Sequence, residues 1–403
     1  ARYENTFNVL AVPYDSPAVG YHNNIVNNIR LWSAEIPEEE QGNYRTIESR
    51  RKIDEITQVL YPDDSDYEGR LLRLKQEYFM VSAGVQSIIK HFKKYNEPFT
   101  RMPEFISMHI NDTHPALVIP ELMRILLDEE ELNWENAWEV TRKVCSYTNH
   151  TVLSEALEKW PVEMVQDLLP RIYMIIEEIN RRHVEEIETL YGEKKAWMTA
   201  IIRNDMVHMA HLAVIGSHSV NGVARLHTEI LKNETLLPFY ILFPERFNNK
   251  TNGVTHRRWI HLANERLSAL LDEKIGEEWR VAPSELKVLK GFIDDEETLE
   301  EIAMIKRENK VDFAAMVKKL YDLEISPDAI FDVQIKRLHA YKRQHLNALH
   351  ILCRYLYIKE NPDAKIQPRV FIFGATAAPS YTYAKEIIKA INTLAEVVNN
   401  DPD

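Results

Sequence analysis

Glycine is scarce in these 403 residues, at 11, and cysteine is almost absent, at two. So little glycine argues against a turn-rich β architecture and for long helices. Cys145 and Cys353 lie far apart in apolar surroundings without metal-type spacing, and are read as reduced core residues. No apolar run approaches the length of a membrane span and no signal peptide opens the chain. The expected compartment is therefore the cytoplasm, with no membrane partner. P-loop, Gly-X-Gly-X-X-Gly and Gly-X-Ser-X-Gly patterns are missing too, so nucleotide-loop NTPases and serine hydrolases have no support. Positive charge is in deficit: the net charge of −13 disfavours nucleic acid as a partner.

What is present suits a soluble α/β protein of two or three domains, with 45% hydrophobic and 28% charged residues. Residues 8–12, 28–32 and 106–110 read as strands, and 115–127 as a helix with Asp112 or Thr113 as cap. Apolar recurrence predicts long helices over 161–190 and 197–232. Helices with acidic loops follow over 256–325. Next come strand 329–335, helix 341–359, strand 370–374 and helix 380–399. That alternation predicts a parallel, doubly wound sheet. Two such units are too few to close a domain, so the chain reads as cut.

The densest chemical signal is Lys336-Arg337-Leu338-His339-Ala340-Tyr341-Lys342-Arg343. Cations crowd a place where a strand ends and a helix begins, which is unfavourable unless an anion sits there; phosphate is the common choice. The plainer reading is a solvated basic face. Three polar clusters stand at element ends: Asn111-Asp112-Thr113-His114, Tyr147-Thr148-Asn149-His150-Thr151 (ahead of Glu155 and Glu158), and Asn248 through Gly253. Such side chains match sugar hydroxyls as donors and acceptors, although ordinary capping explains each one alone. The run Tyr61–Gly69 carries four acids that Arg73 and Lys75 could balance; it is a gating loop or a plain surface loop, and lacks calcium-loop spacing. His208, His211 and His218 have no accompanying acidic base and are read as core or capping residues.

Taken together, these segments resemble the α-glucan phosphorylases, the glycogen, starch and maltodextrin phosphorylase family, over essentially the whole chain. Further markers are Asn28 through Ala34, Leu72 through Phe79, Val220 through His227, Asn249 through Thr255 and Asp332 through Arg337. The resemblance implies a two-lobed glycosyltransferase (GT-B-like) fold with Rossmann-like parallel sheets. Residues 1–252 would belong to the glucan-binding lobe, and 253–403 to the first part of an incomplete cofactor and phosphate lobe. It implies phosphorolysis of terminal α-1,4 bonds by orthophosphate to α-glucose 1-phosphate, with pyridoxal 5′-phosphate as cofactor, no metal, and a homodimer. Residue by residue, it gives Lys336 the cofactor phosphate, Arg337 and Lys342 the substrate phosphate, and Tyr341 a glucose hydroxyl. His150 and Asn252 would meet the glucose 6-hydroxyl, and Trp259 would pack near the cofactor. Asp112, His114, Thr151 and Glu158 would form a polar pocket beside the glucose. Asp64 and Ser65 would lie in the gating loop Asp63–Tyr67, which departs from the Asn-Asp-Asn-Phe form of muscle-type enzymes.

The family's cofactor-lysine motif, Gly-Thr-Gly-Asn-Met-Lys, is not among these residues, and Thr376 stands where the Gly-X-Lys-Ala-Ala-Pro pattern has Lys. The chain by itself is thus expected to form no Schiff base and show no turnover. Two other readings remain open: a cofactor-free nucleotide-sugar glucosyltransferase and a non-catalytic carbohydrate-binding module.

Overall fold

The computed structural model describes residues 4, 6–40, 42, 46–153 and 157–402. The chain divides into two compact units, one of Ala1–Ala18 with Asn27–Gly253 and the other of Val19–Val26 with Val254–Asp403. Strands β1 (Leu10–Val19) and β2 (Val26–Glu35) pair with each other. Among the described residues, no helix is long and apolar enough to cross a membrane.

The first unit is built on a parallel sheet of β3 (Met108–Asn111), β4 (Cys145–Thr148), β8 (Ser219–Gly222) and β9 (Phe247–Asn249), in the order β3-β4-β8-β9. Met108 and Ile110 point one way from β3 into the core while His109 and Asn111 stay exposed, the period of two expected of a strand. Helices Tyr67–Phe92, Val118–Arg124, Trp134–Val144 and Pro170–Tyr191 supply Leu74, Leu122, Val140 and Ile176 to that core. Beside it lies a small antiparallel sheet of β5 (Lys159–Pro161), β6 (Ile202–Arg203) and β7 (Met206–His208).

Hydrogen bonds to a buried carboxylate lock two of these helices. Glu121, fully buried, takes Arg124 Nε at 2.8 Å and Nη2 at 2.9 Å, Ser82 Oγ at 2.7 Å and Tyr78 Oη at 3.0 Å. The arrangement fixes helix Tyr67–Phe92 against helix Val118–Arg124 and so sets the direction of Arg73 and Glu77, which share the same helix.

The predicted helix 197–232 is not one element. Asn204 and Asp205 both take left-handed backbone (φ 52° and 56°) and turn β6 into β7, the conformation that short hairpins demand. Helices Met209–Ile215 and Arg225–Ile230 then flank β8. A Cβ on Gly216 would lie 2.4 Å from Ile119 Cδ1, so only glycine fits where the chain leaves the first of them. Helix 115–127 also differs: it begins at Val118 without a side-chain cap and continues as π-helix over Ile125–Glu129. Asp112 and Thr113 are therefore not caps.

In the second unit, β10 (Ile330–Ile335) and β11 (Arg369–Gly374) pair in parallel, from Ile330 with Arg369 to Ile335 with Gly374. Helices Gln344–Glu360 and Thr382–Asn399 follow the two strands, as the alternation predicts. The mixed α/β class with parallel sheets is thus the observed one. Cys145 is buried, but Cys353, expected in the core, is exposed; its neighbours Leu349, Leu352 and Leu356 on that helix are exposed as well.

His183 and His208 are pushed down to about 4, and His211 to about 3, chiefly by burial. His211 Nδ1 donates to the Ala200 carbonyl at 2.7 Å. His208 and His211 are core residues, as expected; His218 is exposed. These imidazoles stay neutral when folded and take protons only when unfolded. Their contribution is complete above the unfolded value of about 6.5 and is lost as pH falls toward 4. Urea titrations should show stability dropping over that window, with a shallower slope in His211→Asn. Glu121→Ala leaves Arg124 only its contact with Glu129 Oε1 at 2.7 Å and takes the acceptor from Tyr78 and Ser82, and should cost about 2–4 kcal/mol; a loss under about 1 kcal/mol would contradict this account.

Candidate functional site

Parallel pairing brings the C-terminal ends of β3, β4, β8 and β9 to one edge, where open α/β sheets present ligand groups. Asp112 and His114 follow β3, His150 and Thr151 follow β4, and Asn252 follows β9. Asp112 holds a left-handed backbone (φ 61°) and its N–H donates to the Thr148 carbonyl at 2.9 Å. His150 Nε2 sits 2.7 Å from Asn111 Oδ1. Thr151 N–H donates to Asn149 Oδ1 at 2.9 Å, and Asn252 N–H to the Val223 carbonyl at 3.0 Å. Below them, Thr148 Oγ1 donates to Asn221 Oδ1 at 2.8 Å, and Asn149 N–H to the Asn221 carbonyl at 3.0 Å. These bonds satisfy the groups they join and tie the strand ends to one another. A Cβ on Gly222 would meet Thr228 Oγ1 at 2.5 Å, so the β8 end needs glycine.

The structure gathers four charged or titratable side chains at this edge. Arg73 donates through Nε to Glu77 Oε1 at 3.1 Å and through Nη2 to His114 Nδ1 at 3.0 Å. Glu158 Oε1 lies 3.9 Å and Glu77 Oε1 3.5 Å from the same Nδ1. Glu77 is 3% exposed and Glu158 16%. Burial, with Glu158 nearby, pushes Glu77 up to about 8. Glu158 itself is held below the usual carboxylate range: burial opposes ionisation, but contacts with His114 and Glu77 outweigh it. Glu158 and Glu77 favour a charged imidazole, up to about 10. Arg73 opposes that, because its donated N–H requires the Nδ1 lone pair. The Arg73 contact is the shortest of the three, and it favours the neutral Nε2–H tautomer of His114.

Glu77, His114 and Glu158 place their ligand-type atoms within 4.8 Å of one another. A guanidinium on two of the three would repel a divalent ion, so the cluster is a hydrogen-bonding one. Arg73 does not balance the acids of the 61–69 run; it reaches four residues along its own helix to Glu77, the favoured spacing. Within that run, Asp66 caps the helix through Gly69 N–H at 2.8 Å and Ser65 N–H donates to Asp63 Oδ1 at 3.1 Å. Asp64 Oδ1 is buried without a hydrogen-bond partner. Glu77 is the site residue that sequence reasoning missed. Its one signal was the Arg73–Glu77 spacing inside the Leu72–Phe79 marker. Glu155 lies outside the described residues.

In the second unit, the basic run forms the turn from β10 into helix Gln344–Glu360. The helix begins three residues later than expected, because Ala340–Lys342 is a 3₁₀ turn and Arg343 is left-handed (φ 58°). Buried Gln344 braces the loop, donating to the Arg337 carbonyl at 3.1 Å; Gln334 donates to the Lys342 carbonyl at 2.9 Å. Leu338 N–H donates to the Thr376 carbonyl at 2.9 Å, and its side chain packs on Ala384 and Ile387. Lys336 and Arg337 are exposed and Lys342 is half-buried. Among the described residues, none of Lys336, Arg337, Lys342 and Arg343 is paired with a carboxylate. Lys342 is pushed below the usual lysine range by burial, then by Arg337 and Lys336. A braced turn that holds like charges together suits an anion. Tyr341 is exposed in the same turn, its ring 4.5 Å from His339. Trp259 is exposed on the π-helical stretch Arg257–Leu262.

The carbohydrate phosphorylase family model matches residues 1–403. The chain is similar to the glycogen phosphorylase of Bacillus subtilis, with 49% identity over 403 residues that cover all of this chain and 50% of that protein. Against the brain form of rat glycogen phosphorylase identity is 47%, covering 98% of this chain and 49% of the relative. Against the bovine muscle form it is 46%, covering 100% and 50%. The chain spans about half the length of the curated relatives it matches.

Cations held together without counter-ions cost stability, a common mark of functional sites. Lys336→Gln should leave thermal stability unchanged or raise it by a few tenths of a kcal/mol at low salt. A clear loss on calorimetric melting would mean that Lys336 is structural.

Proposed function

The chain belongs to the carbohydrate phosphorylase family, and from that premise we propose that the protein containing it degrades an α-glucan by phosphorolysis. Orthophosphate would split the terminal α-1,4 bond and release α-glucose 1-phosphate. We place the glucan-binding lobe in residues 1–252 and the phosphate lobe in 253–403. The observation that carries this reading is the turn 336–343, braced from within and supplied with cations that no described carboxylate neutralises.

In this reading Arg337 and Lys342 bind the substrate phosphate, and Tyr341 a glucose hydroxyl. Two phosphate dianions brought close together repel, so several fixed cations in a water-poor site lower the cost of holding them. His150 and Asn252 orient the glucose through its 6-hydroxyl. Asp112, His114, Thr151 and Glu158 receive neighbouring hydroxyls as mixed donors and acceptors. Asp64 and Ser65 belong to a loop that controls access for the glucan.

Pyridoxal 5′-phosphate is the cofactor proposed, with Lys336 on its phosphate and Trp259 beside it. The uncompensated charge on Lys336 fits a phosphate; the lysine for covalent attachment would lie outside these 403 residues. When bound, the cofactor supplies a phosphate that donates or relays a proton. A homodimer is the proposed assembly.

In the longer protein that contains this chain, Arg337→Ala removes a charge-assisted phosphate contact of about 1.5–3 kcal/mol. The apparent phosphate constant should rise at least tenfold in a phosphorolysis assay, with glucan affinity nearly unchanged. Unaltered phosphate dependence would put the anion site elsewhere.

A further inference from the structure

The Arg73–Glu77–His114–Glu158 cluster does not balance its charge. Arg73 contributes one fixed positive charge and the two carboxylates, if bare, two negative ones. Arg73 Nη2 lies 3.0 Å from His114 Nδ1, a donor contact that favours the neutral Nε2–H imidazole over the charged one. One negative charge would be left over between two carboxylates that are largely withdrawn from water, Glu77 at 3% and Glu158 at 16% exposure. Burying an uncompensated charge is costly, and a carboxylate in that position takes up a proton instead. The other groups facing the cluster do not supply a cation: Asp112 is acidic, and buried Tyr147, whose Oη accepts from Asn149 Nδ2 at 3.0 Å, stays un-ionised because burial raises its pKa, with Asp112 adding to the effect. Glu77 Oε2 and Glu158 Oε2 are both buried without a hydrogen-bond partner, so each has room to carry or receive a proton.

We propose that Glu77 is a positioning residue of this edge: it carries a proton at neutral pH, leaving Glu158 as the single ionised acceptor and His114 as a neutral donor through Nε2–H. Glu77 is the more deeply buried of the two acids, and its Oε1 can accept from Arg73 whether or not Oε2 is protonated. Loss of that proton to solvent leaves two bare carboxylates against one guanidinium, and the pocket changes from neutral to a net negative charge.

The sugar-binding consequence rests on the proposed function; the protonation itself does not. The test begins with infrared difference spectra of the 403-residue chain, wild type against Glu77→Gln. At pH 7 the wild type should show an un-ionised carboxyl band that the isosteric variant lacks, and that band should titrate away near pH 8. Identical spectra at pH 7, or a band absent from wild type, overturn the proposal. Calorimetry with maltoheptaose is the second arm. Wild-type affinity should fall about tenfold per pH unit above pH 8, as expected for one linked proton, while Glu77→Gln stays flat. A steep fall in both proteins overturns the positioning role. A carboxyl band with no maltoheptaose binding at any pH supports the protonated Glu77 and removes the sugar reading of the pocket instead.

Discussion

Parallel pairing of β3, β4, β8 and β9 is the constraint on which the first unit depends. Because all four strands run the same way, four separate loops open at one edge. Residues as distant in sequence as Asp112, His150 and Asn252 thereby follow neighbouring strand ends. The Thr148–Asn221 contact and the Asp112–Thr148 backbone bond stitch those ends together, so the loops inherit the stiffness of the sheet. Glu121 does the same one layer out: it accepts from Tyr78 and Ser82 and so fixes the helix that brings Arg73 and Glu77 to the edge.

The two units solve opposite electrostatic problems. The first gathers more acid than base and keeps most of it out of water, which a bound proton can correct. The second gathers cations on a braced turn and pairs none of them with a described carboxylate, which only an outside anion can correct. The second arrangement costs stability in the absence of a ligand. Both stand at the C-terminal ends of parallel strands, where a sheet leaves backbone and side chains unoccupied.

The sequence was most legible where one period dominates. Strands 329–335 and 370–374 lie within a residue of β10 and β11, and helix 380–399 matches Thr382–Asn399, because strand apolarity and helical recurrence alternate cleanly. Residues 197–232 misled because β8 carries Ser219 and Asn221, whose polarity is absorbed by tertiary bonds invisible to periodicity. The hairpin at Asn204-Asp205 was a local turn signal overridden by the surrounding apolar pattern. Strand ends bearing Asp112, His150 and Asn252 were readable from composition. Glu77 was not, since an acid four residues after an arginine on a helix ordinarily marks a solvated face. Only tertiary burial by the loops bearing His114 and Glu158 makes it exceptional.

The central claim is that the turn 336–343 is shaped for a phosphate. Titrating inorganic phosphate into the isotope-labelled chain while following backbone amide resonances tests it most directly. The account predicts saturable shifts concentrated on residues 336–343 and the start of helix Gln344–Glu360, weakening as salt rises. Shifts scattered over unrelated surface lysines, or none in the turn at saturating phosphate, would contradict it.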